Sequence, residues 1–191
     1  MSGRDIIFLV DDPKWKKARG LVARLRRAAG EALAQSGLEG KSSLTVLLAS
    51  DARLRALNRD FRGRDKPTNV LSFPAGPNDA PTGRTAGRKT ASRQTGRSAL
   101  LADAPVYRGD IALAYGVTAA EAKASGKSLS DHAAHLVVHG VLHLAGHDHE
   151  RVRDAEKMES LEVRILGELG IADPYKSREP RPAARPKRVK S

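Results

Sequence analysis

Short apolar runs separated by turn-forming residues predict four β-strands in this chain of 191 residues. Each run is rich in valine, isoleucine, leucine or phenylalanine and has the length of a strand that is buried on at least one face. The predicted strands are residues 5–10, 43–50, 69–73 and 110–115. A turn around Lys66 and Pro67 leads into the third of them. The runs are few and short, so the expected sheet is small.

Apolar residues at helical spacing predict a long helix between the first two strands. Asp12 followed by Pro13 is typical of a helix start, because aspartate caps the first turn and proline fits its first position. Gly37 is the predicted end, since glycine adopts the left-handed conformation common after a helix. The apolar stripe of this helix consists of Leu21, Val22, Leu25, Ala28, Ala29 and Leu33.

Four further helices are predicted from capping residues and apolar spacing. Ser50 or Asp51 is expected to start a second helix, which carries Leu54, Leu57 and Phe61. A capping box of Thr118 and Glu121 is expected to open a third helix, which ends near Gly126. Ser128 or Ser130 is expected to start a fourth. Residues 151–169 supply a fifth, amphipathic helix. Strands early and helices late predict an α+β fold, a single domain with a small, mixed four-stranded sheet covered by about five helices.

Composition limits what kind of protein this is. A chain of this length, 40% hydrophobic, is long enough for one core and short for two large domains. The absence of cysteine excludes disulfides and thiolate metal sites, so a bound metal requires nitrogen and oxygen ligands. No apolar run approaches the roughly 18 residues of a membrane span. We therefore expect a soluble, cytoplasmic protein that makes no membrane contact.

The net charge of +12 is unevenly distributed. Residues 76–98 carry five basic residues and one acid, and residues 176–191 carry seven basic residues and one acid, with little apolar content in either segment. Both are predicted to be disordered, which makes 1–175 a domain with a basic insert and 176–191 a basic tail. Residues 1–75 sum to +7 and residues 99–175 to −5. Such charge either aids solubility or attracts phosphates, and by itself it does not distinguish RNA, DNA and anionic lipid.

Five of the six histidines lie in one short stretch, HLVVHGVLHLAGHDHE, at residues 135–150. His139 and His143 are four residues apart, so on a helix their rings lie on the same face, one turn apart. Gly146 predicts a chain reversal that brings His149 to the same point. Three imidazoles around one ion leave a coordination position open, as in catalytic zinc sites. The sequence thus predicts a zincin-like site at the end of a helix, with His139, His143 and His149 as ligands of one zinc or another divalent ion.

Alternatives to this ligand set remain. His135 with His139 is a rival pair, although no third ligand follows from it, and His132 and His135 more simply pack or hydrogen-bond within the fold. His147 could replace His149. The spacing of histidines and glycine is that of the metzincin proteases, in which a glutamate general base follows the first histidine. Gly140 stands at that position, which argues against a peptidase.

Other residues near this stretch have less specific predictions. Asp148 is expected to support the ligands or the turn, and Met158 to belong to the core. Asn69 and Ser72 are candidates for lining the cleft.

Three motifs together resemble the bacterial YbeY family of metal-dependent endoribonucleases. They are HGVLHLAGHDH, NRDFRGRDKPTNVLSFP and GDIAL, in the expected order over most of residues 40–170. The resemblance implies metal binding by His139, His143 and His149 and a functional role for Arg62, which otherwise reads as a solvated surface arginine. Two features depart from the family pattern: His147 replaces a common tyrosine, and the segment between Pro74 and Gly109 is longer and more basic.

By this resemblance the protein is a zinc-dependent endoribonuclease that cuts single-stranded RNA. It is expected to act in maturation of the 3′ end of small-subunit ribosomal RNA and in ribosome quality control, with the small ribosomal subunit and ribosome-associated proteins as partners. Zinc activates water and stabilises charge on phosphoryl oxygen, and an arginine fork such as that of Arg62 can grip a phosphate. The alternatives are an assembly factor with a structural metal and a metallohydrolase of another substrate.

Overall fold

A computed structural model describes residues 4–38, 40–76, 104–147 and 152–176. Four strands form one sheet in the order β1-β2-β4-β3, with β1, β2 and β4 parallel and β3 antiparallel to β4. The strands are β1 (Arg4–Val10), β2 (Ser42–Ala49), β3 (Val70–Pro74) and β4 (Val106–Ala114). The predicted mixed four-stranded sheet is confirmed, and β3 is one of its two edge strands.

Five α-helices accompany the strands in the described part of the chain, as predicted. They are α1 (Leu21–Gln35), α2 (Asp51–Arg62), α3 (Tyr115–Ala124), α4 (Leu129–Leu144) and α5 (Val152–Glu168). Helices α1 and α4 pack on one face of the sheet, with α5 outside them, while α2 covers the other face. This places α4, the histidine helix, in the middle of the larger core. None of the described helices combines the length and hydropathy that a membrane crossing requires.

The predicted first helix is wrong at its start. Asp12 does cap a turn, accepting a hydrogen bond from the Lys14 amide at 2.9 Å, but that turn is a short 3-10 helix over Pro13–Lys17. Trp15 in this segment is buried, and its indole donates to the Ala49 carbonyl at 3.0 Å. Gly20, with φ of 75°, then reverses the chain before α1 begins. The capping signal was local, whereas burial of the indole determined where the regular helix could start.

The predicted capping box of Thr118 and Glu121 is also wrong. Helix α3 begins three residues earlier, at Tyr115, and Thr118 is fully buried within it. The first amides of α3 are instead capped by Asp51, whose carboxylate accepts from Gly116 at 2.7 Å and Val117 at 3.2 Å. A carboxylate at a helix N-terminus satisfies amides that have no partner within the helix. Local sequence patterns do not indicate this cap, because it comes from another helix.

The disorder of the basic insert and of the basic tail stays a prediction. Apart from Gly76 and Lys176, the basic insert 76–98 and the tail 176–191 lie outside the described residues. The division at residue 175 is likewise a prediction. The structure does fix the two strands that the insert joins, because Pro74 at the end of β3 pairs with Gly109 of β4.

Alanine in place of Gly109 is expected to destabilise the protein by about 2–4 kcal/mol. Gly109 has φ of 132°, and a Cβ there would lie 2.1 Å from the Phe73 carbonyl oxygen. Urea denaturation measures the change in the free energy of unfolding. The matched control is Gly30→Ala within α1, where the added methyl would meet only Ile6 at 3.9 Å and should stabilise the helix slightly. A Gly109→Ala variant as stable as the parent would contradict this account of the β3–β4 pairing.

Candidate metal centre

His139 and His143 converge on one point beside α4. They lie one helical turn apart, and their Nε2 atoms are 3.0 Å from each other with the rings nearly perpendicular. Two nitrogens bound to the same tetrahedral zinc at 2.0–2.1 Å would be separated by about 3.3 Å. The two side chains therefore already have nearly the spacing that a shared metal ion requires.

Glu162 of α5 fixes the orientation of His139. The Nδ1 atom of His139 lies 2.6 Å from the Glu162 carboxylate, which can only accept a hydrogen bond when ionised, so the imidazole donates through Nδ1. That tautomer places the lone pair on Nε2, the nitrogen that faces His143. A carboxylate behind a histidine in this way is the usual support of metal-binding imidazoles.

The same carboxylate is a buried negative charge. Burial raises the pKa of Glu162. Hydrogen bonds from His135, His139 and Tyr175 lower it by more than burial raises it, and the resulting pKa is about 2. His135 approaches the second carboxylate oxygen at 3.2 Å, and the Tyr175 hydroxyl donates to that oxygen as well. Glu162 is therefore ionised at neutral pH, and its charge favours a cation on the far side of His139.

Gly140 faces the sheet and has no room for a side chain. A Cβ at this position would lie 3.0 Å from the Ile111 side chain and 3.1 Å from the Ser72 hydroxyl. A larger residue here would require the side chains of Ile111 and Ser72 to shift. The structure thus gives a packing reason for the glycine and supports the expectation that this site is not a metzincin-type peptidase site.

Comparison with known proteins identifies the family. The family model described as endoribonuclease YbeY matches residues 11–170. The chain belongs to the endoribonuclease YbeY family. Relatives with that name include proteins from Chelativorans sp., 47% identical over 86% of this chain and 87% of its own length, and Erythrobacter litoralis, 46% identical over 87% and 92%. The predicted family is confirmed and, with it, the predicted class of enzyme, an endoribonuclease.

A solved structure supports the fold. The solution structure of TM1509 from Thermotoga maritima is similar with a TM-score of 0.50, at 23% identity, and the match covers 94% of this chain and 99% of that one. At this identity the likeness concerns the fold alone. It agrees with the α+β architecture seen here.

The third predicted ligand, His149, lies outside the described residues, as does Asp148. Within the described ranges, no three His, Cys, Asp or Glu side chains are grouped so that they could hold a metal ion. His147 is described, and its Nε2 lies 3.1 Å from the Ser36 carbonyl, directed toward the end of α1. The three-histidine set consequently stays a prediction.

The remaining histidines have structural partners. His132 approaches Glu121 at 2.8 Å, and Asn69 donates to the same carboxylate at 3.0 Å. His135 approaches Glu162, as described above. Met158 is buried in the core. These positions agree with the packing and hydrogen-bonding roles expected for His132, His135 and Met158. Asn69, a candidate for lining the cleft, donates a hydrogen bond to the Glu121 carboxylate.

Arg62 and Ser72 lie on opposite sides of the edge strand β3. Ser72 faces α4 and lies beside Gly140. Arg62 is the last residue of α2, on the other face of the sheet, with an exposed side chain. The neighbouring Phe61 packs its ring on Phe73 of β3, at 5.1 Å between centroids. Helix α4, which carries the two histidines, and α2, which ends at Arg62, therefore contact β3 from its two faces.

Glu162 and Tyr175 are the site residues that the sequence analysis missed. Glu162 lies on the apolar side of α5, four residues after buried Met158 and three before buried Ile165. An acid at a core position of an amphipathic helix is a signal for a buried partner, and it could have been found. Tyr175 follows the last helix, where no periodicity indicates its contact.

Proposed function

We propose that this protein is a metal-dependent endoribonuclease that cuts single-stranded RNA, with His139, His143 and His149 as ligands of one zinc or other divalent ion. The observation that carries the proposal is the convergence of two Nε2 atoms at 3.0 Å, with Glu162 directing one imidazole. Family membership supplies RNA as the substrate. The donor set of imidazoles, without thiolates, suits zinc among several divalent metals.

The chemistry divides between the ion and the chain. When bound, such an ion lowers the pKa of water and withdraws charge from a phosphoryl oxygen. His139 and His143 position it, and Glu162 keeps His139 in the tautomer that presents Nε2. Gly140 brings no carboxylate to the site, so the chain lacks the general base of the metzincins at that position. The expected reaction is hydrolysis of a phosphodiester bond at an open edge of the sheet.

We further propose that the substrate is ribosomal RNA, at the 3′ end of the small-subunit RNA, and that the protein also acts in ribosome quality control, with the small ribosomal subunit as its cytoplasmic partner. Residues 1–75 sum to +7, which supports attraction to a folded RNA particle. In cells depleted of the protein, expression of the parent but not of His139→Ala should restore mature 3′ ends. Restoration by the variant would contradict this assignment.

Arg62 is proposed to bind a non-bridging phosphate oxygen of the strand being cut. Arg62→Ala should lower kcat/KM for RNA cleavage about a hundred-fold, because a donor aimed at developing charge is lost. Arg62→Lys keeps the charge but not the planar fork and should recover only part of the rate. Metal content, measured by elemental analysis, should stay unchanged.

The control for this prediction is Arg19→Ala, which removes an exposed arginine that precedes α1. It loses the same charge at a different surface and should leave cleavage at the parent rate. Equal losses in the two variants would show that only net charge matters and would remove the specific role of Arg62.

A further inference from the structure

Phe61 is a large aromatic side chain left exposed next to Arg62, at the end of α2. It was expected among the apolar positions of α2, yet 55% of its surface is accessible, while Leu54 and Leu57 of the same helix are buried. Its ring packs on Phe73 of β3 with an interplanar angle of 63°. Phe61 and Phe73 are two of the three phenylalanines in the chain, and Phe73 is half-buried beneath the exposed ring.

The surface around Phe61 carries more basic than acidic residues. On α2 and the following turn, Arg55 pairs with Asp65 at 2.8 Å and Arg59 with Asp60 at 2.9 Å. Asp51 is occupied at the start of α3. Among the described residues, the exposed cations that form no ion pair here are Arg62, Arg64 and Lys66. Three exposed cations therefore follow Phe61 within five residues of the chain.

Strand β3 lies between this surface and α4, the helix that carries the histidine pair. Successive side chains of a strand point to opposite faces, so Ser72 faces α4 while Phe73 faces α2. Because β3 is an edge strand, no further described strand separates the two faces on that side. A single strand of RNA that follows this open edge would pass from one face of the sheet to the other.

We propose that Phe61, supported by Phe73 and flanked by Arg62, Arg64 and Lys66, is a stacking surface for an unpaired base of the RNA strand. An aromatic face in a cationic groove is the usual arrangement for binding single strands, since every base has a π-face and every nucleotide a phosphate. This inference rests on the proposed function for the identity of the ligand. It explains a preference for unpaired RNA, because a duplex keeps its bases inside the stack.

The first test is binding of a fluorescent single-stranded oligouridine by the full chain, followed by anisotropy with EDTA present so that the strand stays intact. Phe61→Leu keeps an apolar side chain of similar size and removes the π-face. It should weaken binding about five-fold to a hundred-fold. The slope of log affinity against log salt should stay the same, whereas Arg64→Gln should reduce that slope by about 0.7. Parent-like affinity of Phe61→Leu would overturn the proposal.

The second test reports stacking directly and does not depend on the stability of Phe61→Leu. Phe61→Trp introduces a fluorescent ring, and the only native tryptophan, Trp15, is 1% exposed and shielded from RNA. The oligouridine should quench the new emission saturably, and an abasic strand of equal length should not. Binding of oligouridine to this variant without quenching would overturn the proposal.

These readouts also separate the two proposals. Binding that depends on Phe61, without any metal-dependent cleavage, would contradict the proposed function and leave the stacking surface in place. Full cleavage and binding by Phe61→Leu would remove the stacking surface and leave the proposed function in place.

Discussion

Replacement of His143 by alanine is expected to lower the rate of RNA cleavage by at least about a thousand-fold, because the loss of one of the three proposed metal ligands would remove several kcal/mol of charge stabilisation. Its Nε2 lies 3.0 Å from that of His139, so the two act as one pair. Elemental analysis should show one metal per parent chain and much less in the variant. Cleavage of a labelled single-stranded RNA measures the rate.

The matched control is His147→Ala. It removes another imidazole from the same stretch, but one whose Nε2 contacts the Ser36 carbonyl, and it should retain metal and activity. Thermal melting separates catalysis from structure: His143→Ala should melt close to the metal-free parent. A variant that cleaves RNA like the parent would contradict the proposed site, and one that unfolds together with metal loss would make the metal structural.

Replacement of Glu162 is expected to have the second largest effect, and it acts on stability as well as on the metal. Glu162→Ala leaves His135, His139 and Tyr175 around a buried space without their common acceptor. Removal of one partner from a buried, hydrogen-bonded charged group lowers the free energy of unfolding by about 3–5 kcal/mol. Urea denaturation of the metal-free chain measures this loss apart from metal binding.

Glu162→Gln tests the orienting role with less disturbance of the core. The amide keeps the shape and one acceptor but loses the charge, so metal affinity should fall about ten-fold to a hundred-fold. Titration of the chain with zinc against a competing chelator measures the affinity. Glu156→Gln, at an exposed position of the same helix, removes an equal charge and should leave affinity unchanged. Equal affinities of Glu162→Gln and the parent would show that the carboxylate only fills the core.

The sequence predicts the helical half of the site well, because its signal is local. The spacing of His139 and His143 determines their common face once α4 forms, and Ser128 and Gly146 mark the ends of that helix region as expected. Glu162 is different, since its contact with His139 depends on how α5 packs on α4, over 23 positions of sequence. Phe61 fits the helical apolar spacing of α2, but 55% of its surface is exposed, which the spacing does not predict.

Strand β4 shows the same division. Its apolar half was predicted, but the polar half from Val106 to Gly109 was not, because pairing with Ser42 and Ser43 of β2 and with Pro74 of β3 stabilises it. Pairing of this kind depends on distant parts of the chain. The sequence therefore predicts the elements more reliably than their ends.

The antiparallel pairing of Pro74 with Gly109 makes the stability of the sheet insensitive to the length of the chain between them. Because the ladder holds the two ends together, lengthening this connection costs only loop-closure entropy, about 0.6 kcal/mol for each doubling. Residues can be added or removed there with little change in the thermodynamics of folding. The charge carried by a segment at this junction can therefore differ with little effect on the stability of the sheet.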